Sequence, residues 1–375
     1  MIKVLHILWS GRSGGAERFV RDITIYSDKR KFNHHVCFLS RGGRLADEMA
    51  RNGIHVYYLG MNTGLSIVSG MRIQKVINRV KPHIIHNHGR NYFSNILISF
   101  LHNIPKVYFE HGGDLMSNNP KRDEFFYSYF GRFYDLILVN SDFVKDRVMN
   151  IKNVKLPTIK TFYIGIDSER YQNRVDRREV KLQLGIPEKD SVIGTVCRLV
   201  EQKGVDDFIK VASEINKLCN CCSFVVVGEG GKRSELEGIA EAHNVNIHFL
   251  GDRSDVPKLL KAFDIFIFTP KWEPFGIVIL EAFAAKVPVL GFAVGGMKEI
   301  MKRCGGGILF EQRNHRRLAE TAVDLLHNRK LYSRISHTGY VHVRKLFDIR
   351  DSIKNLEREY TAIVKKRLHE RTSCK

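Results

Sequence analysis

The sequence contains no apolar run that approaches the roughly 20 residues needed to span a bilayer. Residues 1–8 could be mistaken for a signal peptide. Their apolar stretch is short, is interrupted by His6 and is followed at once by a glycine-rich loop, so it is more typical of a first β-strand. We therefore expect a cytoplasmic protein.

Cysteine is scarce, and its pattern is not that of a metal-binding module. The seven cysteines are odd in number, and the tight group of Cys219, Cys221 and Cys222 has no second Cys/His pair at zinc-finger spacing. We expect reduced thiols in this group, between the end of a helix and the start of the next strand. A metal site remains the less favoured alternative.

Acidic residues are few relative to basic ones. The chain has 40 Asp and Glu against 60 Lys and Arg, which gives a formal net charge of +20. No aromatic-rich stacking motif or helix-turn-helix pattern accompanies this charge, so nucleic-acid binding remains only an alternative and we expect no nucleic-acid partner. An anionic membrane surface is the preferred explanation, since each Lys or Arg near such a surface contributes about 1 kcal/mol. The inner face of the cell membrane is therefore a second expected location.

The order of strand-like and helical stretches predicts two α/β domains. A chain of 375 residues with 43% hydrophobic residues is too long for one ordinary α/β core. Strands and helices alternate, as in a parallel sheet with helices on both faces. The first series includes a helix at 93–101 and closes with a strand at 135–140. The second runs from a strand at 191–197 to one at 307–309, and an amphipathic helix at 349–367 follows.

The segment 272–285 carries the most informative pattern, two glutamates eight positions apart. A short apolar strand precedes it, and a helix is predicted to begin just after Gly276. The helix N-terminus at Gly276 and Ile277 offers backbone N–H groups and a positive dipole end to a phosphate. Glu281 is the only charge in a nine-residue apolar run and is costly unless a partner satisfies it. Glu273 and Glu281 could bind a sugar hydroxyl and a ribose diol, although two solvated glutamates would give the same pattern.

This segment resembles the Glu-x7-Glu motif of the retaining glycosyltransferases of family 4. Other segments resemble motifs of the same family, in the same order along the chain: 13–17, 163–167, 194–204, 225–230 and 295–299. Tyr163 and Ile164 depart from the Pro-Asn that is usual in the second of these. The resemblance implies the GT-B fold, an α/β architecture with two Rossmann-like domains facing each other across a cleft.

The resemblance also implies how the chain is divided. Residues 1–165 would bind the acceptor, residues 166–348 would bind the nucleotide sugar, and a helix within 349–375 would cross back to the first domain. The implied activity is a retaining hexosyl transfer (EC 2.4) from a UDP- or GDP-sugar to a hydroxyl of a saccharide or lipid-linked acceptor. Assembly of lipopolysaccharide or another cell-surface polysaccharide would suit the basic surface.

Two fixed cations and a histidine are the expected catalytic groups beside Glu273. Arg198 and Lys203 follow a strand end, where they could stabilise the charge on a diphosphate leaving group without a metal. The resemblance implies that His111 lies near the donor sugar. The chain has no Asp-x-Asp, which argues against a metal-dependent GT-A enzyme, so we expect no cofactor and no essential metal.

The remaining expected site residues form two groups. Those expected to bind the donor are Gly14, Gly15, Gly276, Ile277 and Glu281, and those expected on the acceptor side are Glu17 and His88. His86 and His88 are not predicted to bind a metal, because no third ligand is evident. A nucleotide-sugar epimerase with the same two-domain architecture remains an alternative, since Glu110 and Asp114 could act as acid and base.

Overall fold

The computed structural model describes residues 1–11, 14–40, 42–61, 67–89, 104–112, 120–151 and 158–373. The chain forms two compact units. The first combines Met1–Gly165 with Ile349–Lys375, and the second is Ile166–Asp348. These bounds coincide with the division made from the sequence.

The first unit is built on a parallel sheet. Its described strands are β1 (Ile2–Leu8), β2 (Phe32–Phe38), β3 (His55–Tyr58), β4 (Ile84–His88), β5 (Lys106–Glu110), β6 (Leu136–Val139) and β7 (Thr158–Thr161). They are ordered β3-β2-β1-β4-β5-β6-β7. The prediction that a strand at 135–140 closes this sheet is wrong, because β7 pairs with β6 beyond it. The strand β7 has the sequence Thr-Ile-Lys-Thr and lacks the apolar run by which the other strands are found.

Helices connect these strands. Those described are α1 (Gly15–Tyr26), α2 (Arg44–Arg51), α3 (Ile67–Val80), α4 (Pro120–Tyr129) and α5 (Asp142–Met149). The helix expected at 93–101 lies outside the described residues. Leu8, Val36 and Phe38 pack with residues of α1 and α2 on one face of the sheet, whereas Leu5, Ile7 and Ile85 pack with α3 on the other. Both faces are thus covered, as the sequence pattern predicts.

The second unit repeats this plan. Its strands are β8 (Ser191–Val196), β9 (Cys222–Val227), β10 (Ile247–Phe249), β11 (Ile265–Phe268), β12 (Val289–Phe292) and β13 (Gly307–Phe310), in the order β10-β9-β8-β11-β12-β13. Its helices are α6 (Arg177–Gln183), α7 (Val205–Leu218), α8 (Arg233–Ala242), α9 (Val256–Ala262), α10 (Ile277–Ala284), α11 (Met297–Cys304), α12 (His315–His327) and α13 (Arg329–Leu346).

The cysteine group lies where it was expected. It follows the end of α7 and reaches the first residue of β9. A bend of the chain between helix and strand brings Cys219 and Cys221 close together, with 5.6 Å between their Cα atoms. The reduced state of these thiols stays a prediction.

The final helix, α14 (Ile349–Ser373), belongs to the first unit. Ile353, Leu356 and Tyr360 are buried on it, which matches the predicted apolar face. A carboxylate oxygen of Glu357 accepts a hydrogen bond of 2.7 Å from the backbone N–H of Asp28. The first half of this helix is thus part of the core of the first unit. Among the described residues, no helix is both long and apolar enough to cross a membrane.

Each sheet has a point where the strand order reverses. In the first sheet it lies between β1 and β4, and in the second between β8 and β11. Ligands of open α/β sheets bind outside the carboxyl ends of the strands at such points. The glycine loop at Gly14 follows β1, His88 ends β4, Arg198 and Lys203 follow β8, and the segment with Glu273 follows β11. The strand order therefore places the predicted site residues of each unit at its expected ligand-binding edge.

Candidate functional site

In the second unit, the loops after β8 and β11 pack backbone against backbone. Gly204 has a φ of 60°, and a Cβ atom there would lie 2.0 Å from the carbonyl oxygen of Thr269. The Thr269 hydroxyl donates a hydrogen bond of 2.9 Å to the Gly204 carbonyl. No other residue fits this contact without moving the chain, so Gly204 fixes the distance between the two loops.

This packing brings Lys203 and Glu273 together, although they are 70 positions apart. The Lys203 Nζ atom lies 2.5 Å from the Glu273 Oε2 atom, and the two side chains are only 15% and 9% exposed. The Nζ atom is also 5.5 Å from the centroid of the Phe268 ring. Lysine has three donors, so an ammonium group held by one carboxylate can still bind an incoming phosphate.

Arg198 is exposed and directly follows Cys197 in the chain. The Cys197 thiol is close enough to Arg198, Lys203 and Glu273 for the charge of each to act on it. Its burial raises its pKa to about 12, Lys203 opposes that rise, Glu273 adds to it, and Arg198 opposes it more weakly. The charges of three expected catalytic side chains thus act on this one thiol. The thiol itself remains protonated at neutral pH.

The helix α10 begins at the same edge. Gly276, its N-cap residue, has a φ of 91°, a conformation that residues with a side chain rarely adopt. The first backbone N–H groups of a helix have no partner within it. Ile277, which supplies the first of them, is half-buried, and Glu281 is buried one turn further on. A helix N-terminus, a buried carboxylate and the Lys203–Glu273 pair therefore belong to one loop-and-helix segment.

In the first unit, the glycine loop opens α1. Gly14 is the N-cap residue and has an extended backbone, and Gly15 is the first residue of the helix. A Cβ atom at Gly14 would lie 2.1 Å from the Glu17 Oε2 atom, so the Glu17 side chain folds back over the glycine. The absence of a side chain at Gly14 makes room for this carboxylate at the start of the helix.

His111 directly follows β5 and is half-buried. Burial lowers its pKa to about 4, an effect that Glu110 opposes. Its ring stacks on that of Phe109, with 4.4 Å between the centroids. The Asn140 amide donates a hydrogen bond of 2.9 Å to the His111 carbonyl. The imidazole is therefore held in place and neutral at physiological pH.

The carboxylate of the neighbouring Glu110 is buried and hydrogen-bonded within the first unit. It is 2% exposed and accepts hydrogen bonds from the Tyr108 hydroxyl, the Tyr127 hydroxyl and the Gly112 N–H at 3.1, 2.9 and 2.7 Å. A carboxylate held this way is a poor acid or base for an epimerase. Asp114, the other carboxylate considered for that reaction, lies outside the described residues.

His88 lies in a cluster of buried histidines that the sequence did not reveal. One ring nitrogen each of His6, His86 and His88 lies within 4.8 Å of the others. His6, on β1, is therefore the third imidazole, which spacing along the chain did not indicate. His6 and His88 are already hydrogen-bonded to each other at 3.1 Å. The charges that act on these three rings come from other histidines rather than from carboxylates. The argument from the sequence against a metal, that a third ligand is missing, is therefore wrong, because three imidazoles are a ligand set that zinc accepts. The acceptor-side role of His88 remains a prediction.

The interruption of the first apolar run by His6 was the available signal for this cluster. A polar residue within a buried strand requires a partner. The partner could not be read from the chain, because it depends on which strands are neighbours.

Two α/β units, each with its site residues at a strand-order reversal, define the fold of a GT-B glycosyltransferase. Comparison with known families agrees. A model described as glycosyl transferases group 1 matches residues 176–342, and one described as glycosyltransferase family 4 matches residues 13–170. The chain belongs to this family of glycosyltransferases.

Two curated relatives illustrate the family. The lipopolysaccharide core biosynthesis mannosyltransferase LpsB of Rhizobium meliloti is 27% identical over 212 residues, which cover 54% of this chain and 60% of that protein. The UDP-Gal:alpha-D-GlcNAc-diphosphoundecaprenol alpha-1,3-galactosyltransferase of Escherichia coli is 24% identical over 331 residues, 83% of this chain and 84% of that one. For the first relatives matched, the chain spans about half of their length.

A solved structure with the same fold is Anabaena Alr3699/HepE in complex with UDP and glucose. Its TM-score is 0.84 at 21% identity, and the match covers 96% of this chain and 100% of that one. The likeness establishes the fold of this chain as GT-B.

Proposed function

We propose that this chain is a retaining hexosyltransferase that uses a nucleoside diphosphate sugar, a UDP- or GDP-sugar, as donor. The observation that carries the proposal is the Lys203–Glu273 pair beside the N-terminus of α10, at the strand-order reversal of the second sheet. Cations and backbone N–H groups suit a diphosphate, and carboxylates suit the hydroxyls of the two sugars joined to it. The UDP complexes of a protein with the same fold agree with this choice.

In the proposed complex, each group binds one part of the donor. Lys203, Arg198 and the N–H groups at Ile277 bind the diphosphate, Glu281 binds the ribose diol, and Glu273 binds a hydroxyl of the donor sugar. A role at the donor sugar is proposed for His111, and Gly14 and Gly15 would allow close approach of a ligand. A role on the acceptor side is proposed for Glu17, and for the buried His88 only through the His111 ring, which lies 3.4 Å from its Nδ1 atom.

The proposed reaction breaks the bond between the anomeric carbon and the diphosphate oxygen and forms a bond to the acceptor oxygen on the same face. The acceptor proton passes to the departing diphosphate. Lys203 and Arg198 stabilise the charge that develops on that leaving group, which is a task often given to a metal ion. We therefore propose that no cofactor and no divalent ion is required.

A thermal-shift panel tests this proposal. UDP, GDP, ADP and their common sugar conjugates are added to the protein with all divalent ions chelated. A ligand that binds the folded state raises the melting temperature by mass action. Stabilisation by one nucleotide series is expected and would identify the donor, whereas stabilisation that appears only with added metal would contradict the metal-free mechanism.

We further propose that the acceptor is a saccharide or is lipid-linked and that the first unit contacts an anionic membrane surface. A cell-surface polysaccharide pathway is consistent with both curated relatives. The support from this chain is a surface on and beside α4. Phe125 and Tyr129 are 55% and 52% exposed, their rings stack at 5.9 Å, and the Arg132 guanidinium lies 5.5 Å from the Tyr129 ring. Aromatic rings with adjacent cations suit the interface of an anionic membrane.

Co-sedimentation with vesicles tests the membrane proposal. We expect binding to vesicles that contain anionic lipid, and a decrease as salt is raised, because the attraction is screened. Replacing both Phe125 and Tyr129 by Ser should weaken binding, whereas Leu182→Ser, which removes an 80% exposed apolar side chain from the second unit, should not. Equal binding by all three proteins would contradict the assignment of this surface.

A further inference from the structure

Four histidines of the first unit form a continuous hydrogen-bonded chain. The His34 Nδ1 and His6 Nε2 atoms are 2.9 Å apart, the His6 Nδ1 and His88 Nε2 atoms 3.1 Å, and the His88 Nδ1 and His111 Nε2 atoms 3.4 Å. The chain crosses the sheet from β2 through β1 and β4 to the residue after β5. It thus connects the buried His34 to the half-buried His111.

All four rings are neutral at physiological pH. Burial lowers the pKa of His34 to about 3 and that of His111 to about 4. Burial also lowers the pKa of His6 and of His88 far below the usual value, and neighbouring histidines lower it further. A neutral imidazole has one N–H and one acceptor nitrogen. Each ring can therefore donate only one hydrogen bond.

This proton count restricts the chain to two states. Each of the three contacts needs one proton between its two nitrogens. The nitrogen that carries the proton on His6 therefore determines the tautomers of His34 and His88. The tautomer of His88 in turn determines that of His111. Either every ring carries its proton on Nδ1, and donation runs from His34 towards His111, or every ring carries it on Nε2, and donation runs the other way. The tautomers of His34 and His111 are thus coupled through two intervening rings.

The burial of His34 favours the first state. Among the described residues, the His34 Nε2 atom is buried and has no hydrogen-bond partner. The second state would leave an N–H unpaired at that atom, and buried unpaired N–H groups are rare in proteins. The first state leaves a lone pair there and puts the last N–H at the His111 Nδ1 atom, on a ring that is only half-buried.

We propose that His34, His6 and His88 are positioning residues that hold His111 as the Nδ1–H tautomer, so that it presents a hydrogen-bond donor to its ligand. The meaning of this for catalysis rests on the proposed function, in which His111 meets the donor sugar. A sugar oxygen that accepts a hydrogen bond fits this state, whereas a ligand that must donate to His111 would have to reverse the whole chain. His34 lies three hydrogen bonds away from His111 and would affect it only through this chain.

Nitrogen NMR of the protein with ¹⁵N-labelled histidine tests the proposal without any substrate, since the chemical shifts of the ring nitrogens identify the tautomer. At pH 7.5 we expect His34, His6, His88 and His111 all to be Nδ1–H. An Nε2–H or doubly protonated form of any of the four, or a metal bound to His6 and His88, would overturn the proposal.

Variants of His34 test the coupling. His34→Leu removes the donor at the buried end, and His111 should then populate both tautomers. His34→Asn restores an amide N–H at the position of Nδ1 and should restore the single form. Tyr360→Phe is the control, because it removes the 2.5 Å contact to the His86 Nδ1 atom beside the chain and leaves the three contacts of the chain intact. An unchanged His111 tautomer in His34→Leu would overturn the coupling.

Kinetics of the same variants separate this inference from the proposed function. In His34→Leu we expect a roughly tenfold lower kcat, the equivalent of one hydrogen bond, with unchanged affinity for the nucleoside diphosphate and rescue by His34→Asn. If kcat falls equally in Tyr360→Phe, the effect is structural and the catalytic part of the proposal fails. If no nucleotide sugar binds at all, the proposed function fails while the NMR result still decides the state of the chain.

Discussion

At the scale of single residues, the second unit places cations and carboxylates in defined positions before any ligand binds. Lys203 is held by Glu273 and is mostly buried, whereas Arg198 is exposed. A buried, paired cation loses little freedom when a phosphate arrives, while an exposed one must become ordered. We therefore expect the two cations to differ in their contributions, with Arg198 acting mainly when charge develops on the leaving group.

Arg198→Ala should reduce turnover more than donor binding. An interaction that strengthens in the transition state lowers kcat when it is lost, and removal of one such group costs about 10²- to 10³-fold. Steady-state kinetics and the donor dissociation constant of the variant check this. Arg316→Ala, which removes an 83% exposed arginine from the same unit, is the matched control. Equal losses of kcat and affinity would make Arg198 a plain binding residue.

At the scale of elements, the packing of α14 completes the first unit. Leu356 and Tyr360 are fully buried, and the Tyr360 hydroxyl reaches the histidine cluster. On the same helix, Leu368 is 57% exposed. The helix is therefore attached by one face only, and its contribution to stability can be measured with variants of the same chemical type.

Leu356→Ala should lower the free energy of unfolding by about 2–5 kcal/mol, since it removes a fully buried side chain and leaves a cavity. Leu368→Ala should change it by less than about 0.5 kcal/mol, as is usual for surface positions. Urea unfolding followed by circular dichroism compares the two. Similar effects of both substitutions would mean that α14 is not packed as described.

The sequence predicts some elements well and others poorly, for physical reasons. The strand β11 is apolar throughout and is followed by Pro270, so the sequence predicts it correctly as a short apolar strand. The strand β7 is a half-exposed edge with the sequence Thr-Ile-Lys-Thr and carries no such signal. The Lys203–Glu273 contact depends on Gly204 meeting Thr269 across two loops, and the contacts between histidines depend on strand order. Neither can be read from spacing along the chain, whereas the residues themselves could be named from their motifs.

At the scale of the whole molecule, the buried histidines make folding sensitive to acid. The pKa of His34 falls to about 3 and that of His111 to about 4, and the pKa values of His6, His86 and His88 are lowered well below the usual value, all chiefly by burial. In the unfolded chain these residues bind protons below about pH 6.5. Between that pH and the lowered pKa values, the unfolded state holds more protons, so acid favours unfolding.

The free energy of unfolding should therefore change little between about pH 7 and 8 and fall as the pH drops below 6.5. Each histidine that stays neutral in the folded state contributes about 1.4 kcal/mol per pH unit to this fall. Urea unfolding at pH 7.5, 6.5 and 5.5 measures this fall. In His34→Leu, the decrease of the unfolding free energy per pH unit should be smaller by the contribution of one histidine. Stability that does not change over this range would show that the histidines are protonated in the folded protein.

The claim most central to this account is that the second unit binds the nucleotide of the donor without a metal, with Glu281 on the ribose. Isothermal titration of UDP and GDP in the presence of EDTA tests it in the native chain, in Glu281→Ala and in Glu320→Ala, the last of which removes a half-exposed glutamate of α12. Loss of a charged hydrogen bond costs about 1.5–3 kcal/mol, so Glu281→Ala should weaken binding of one nucleotide roughly 10- to 150-fold. Glu320→Ala should bind like the native chain. Equal affinity of the native and Glu281→Ala proteins, both folded, would contradict the account.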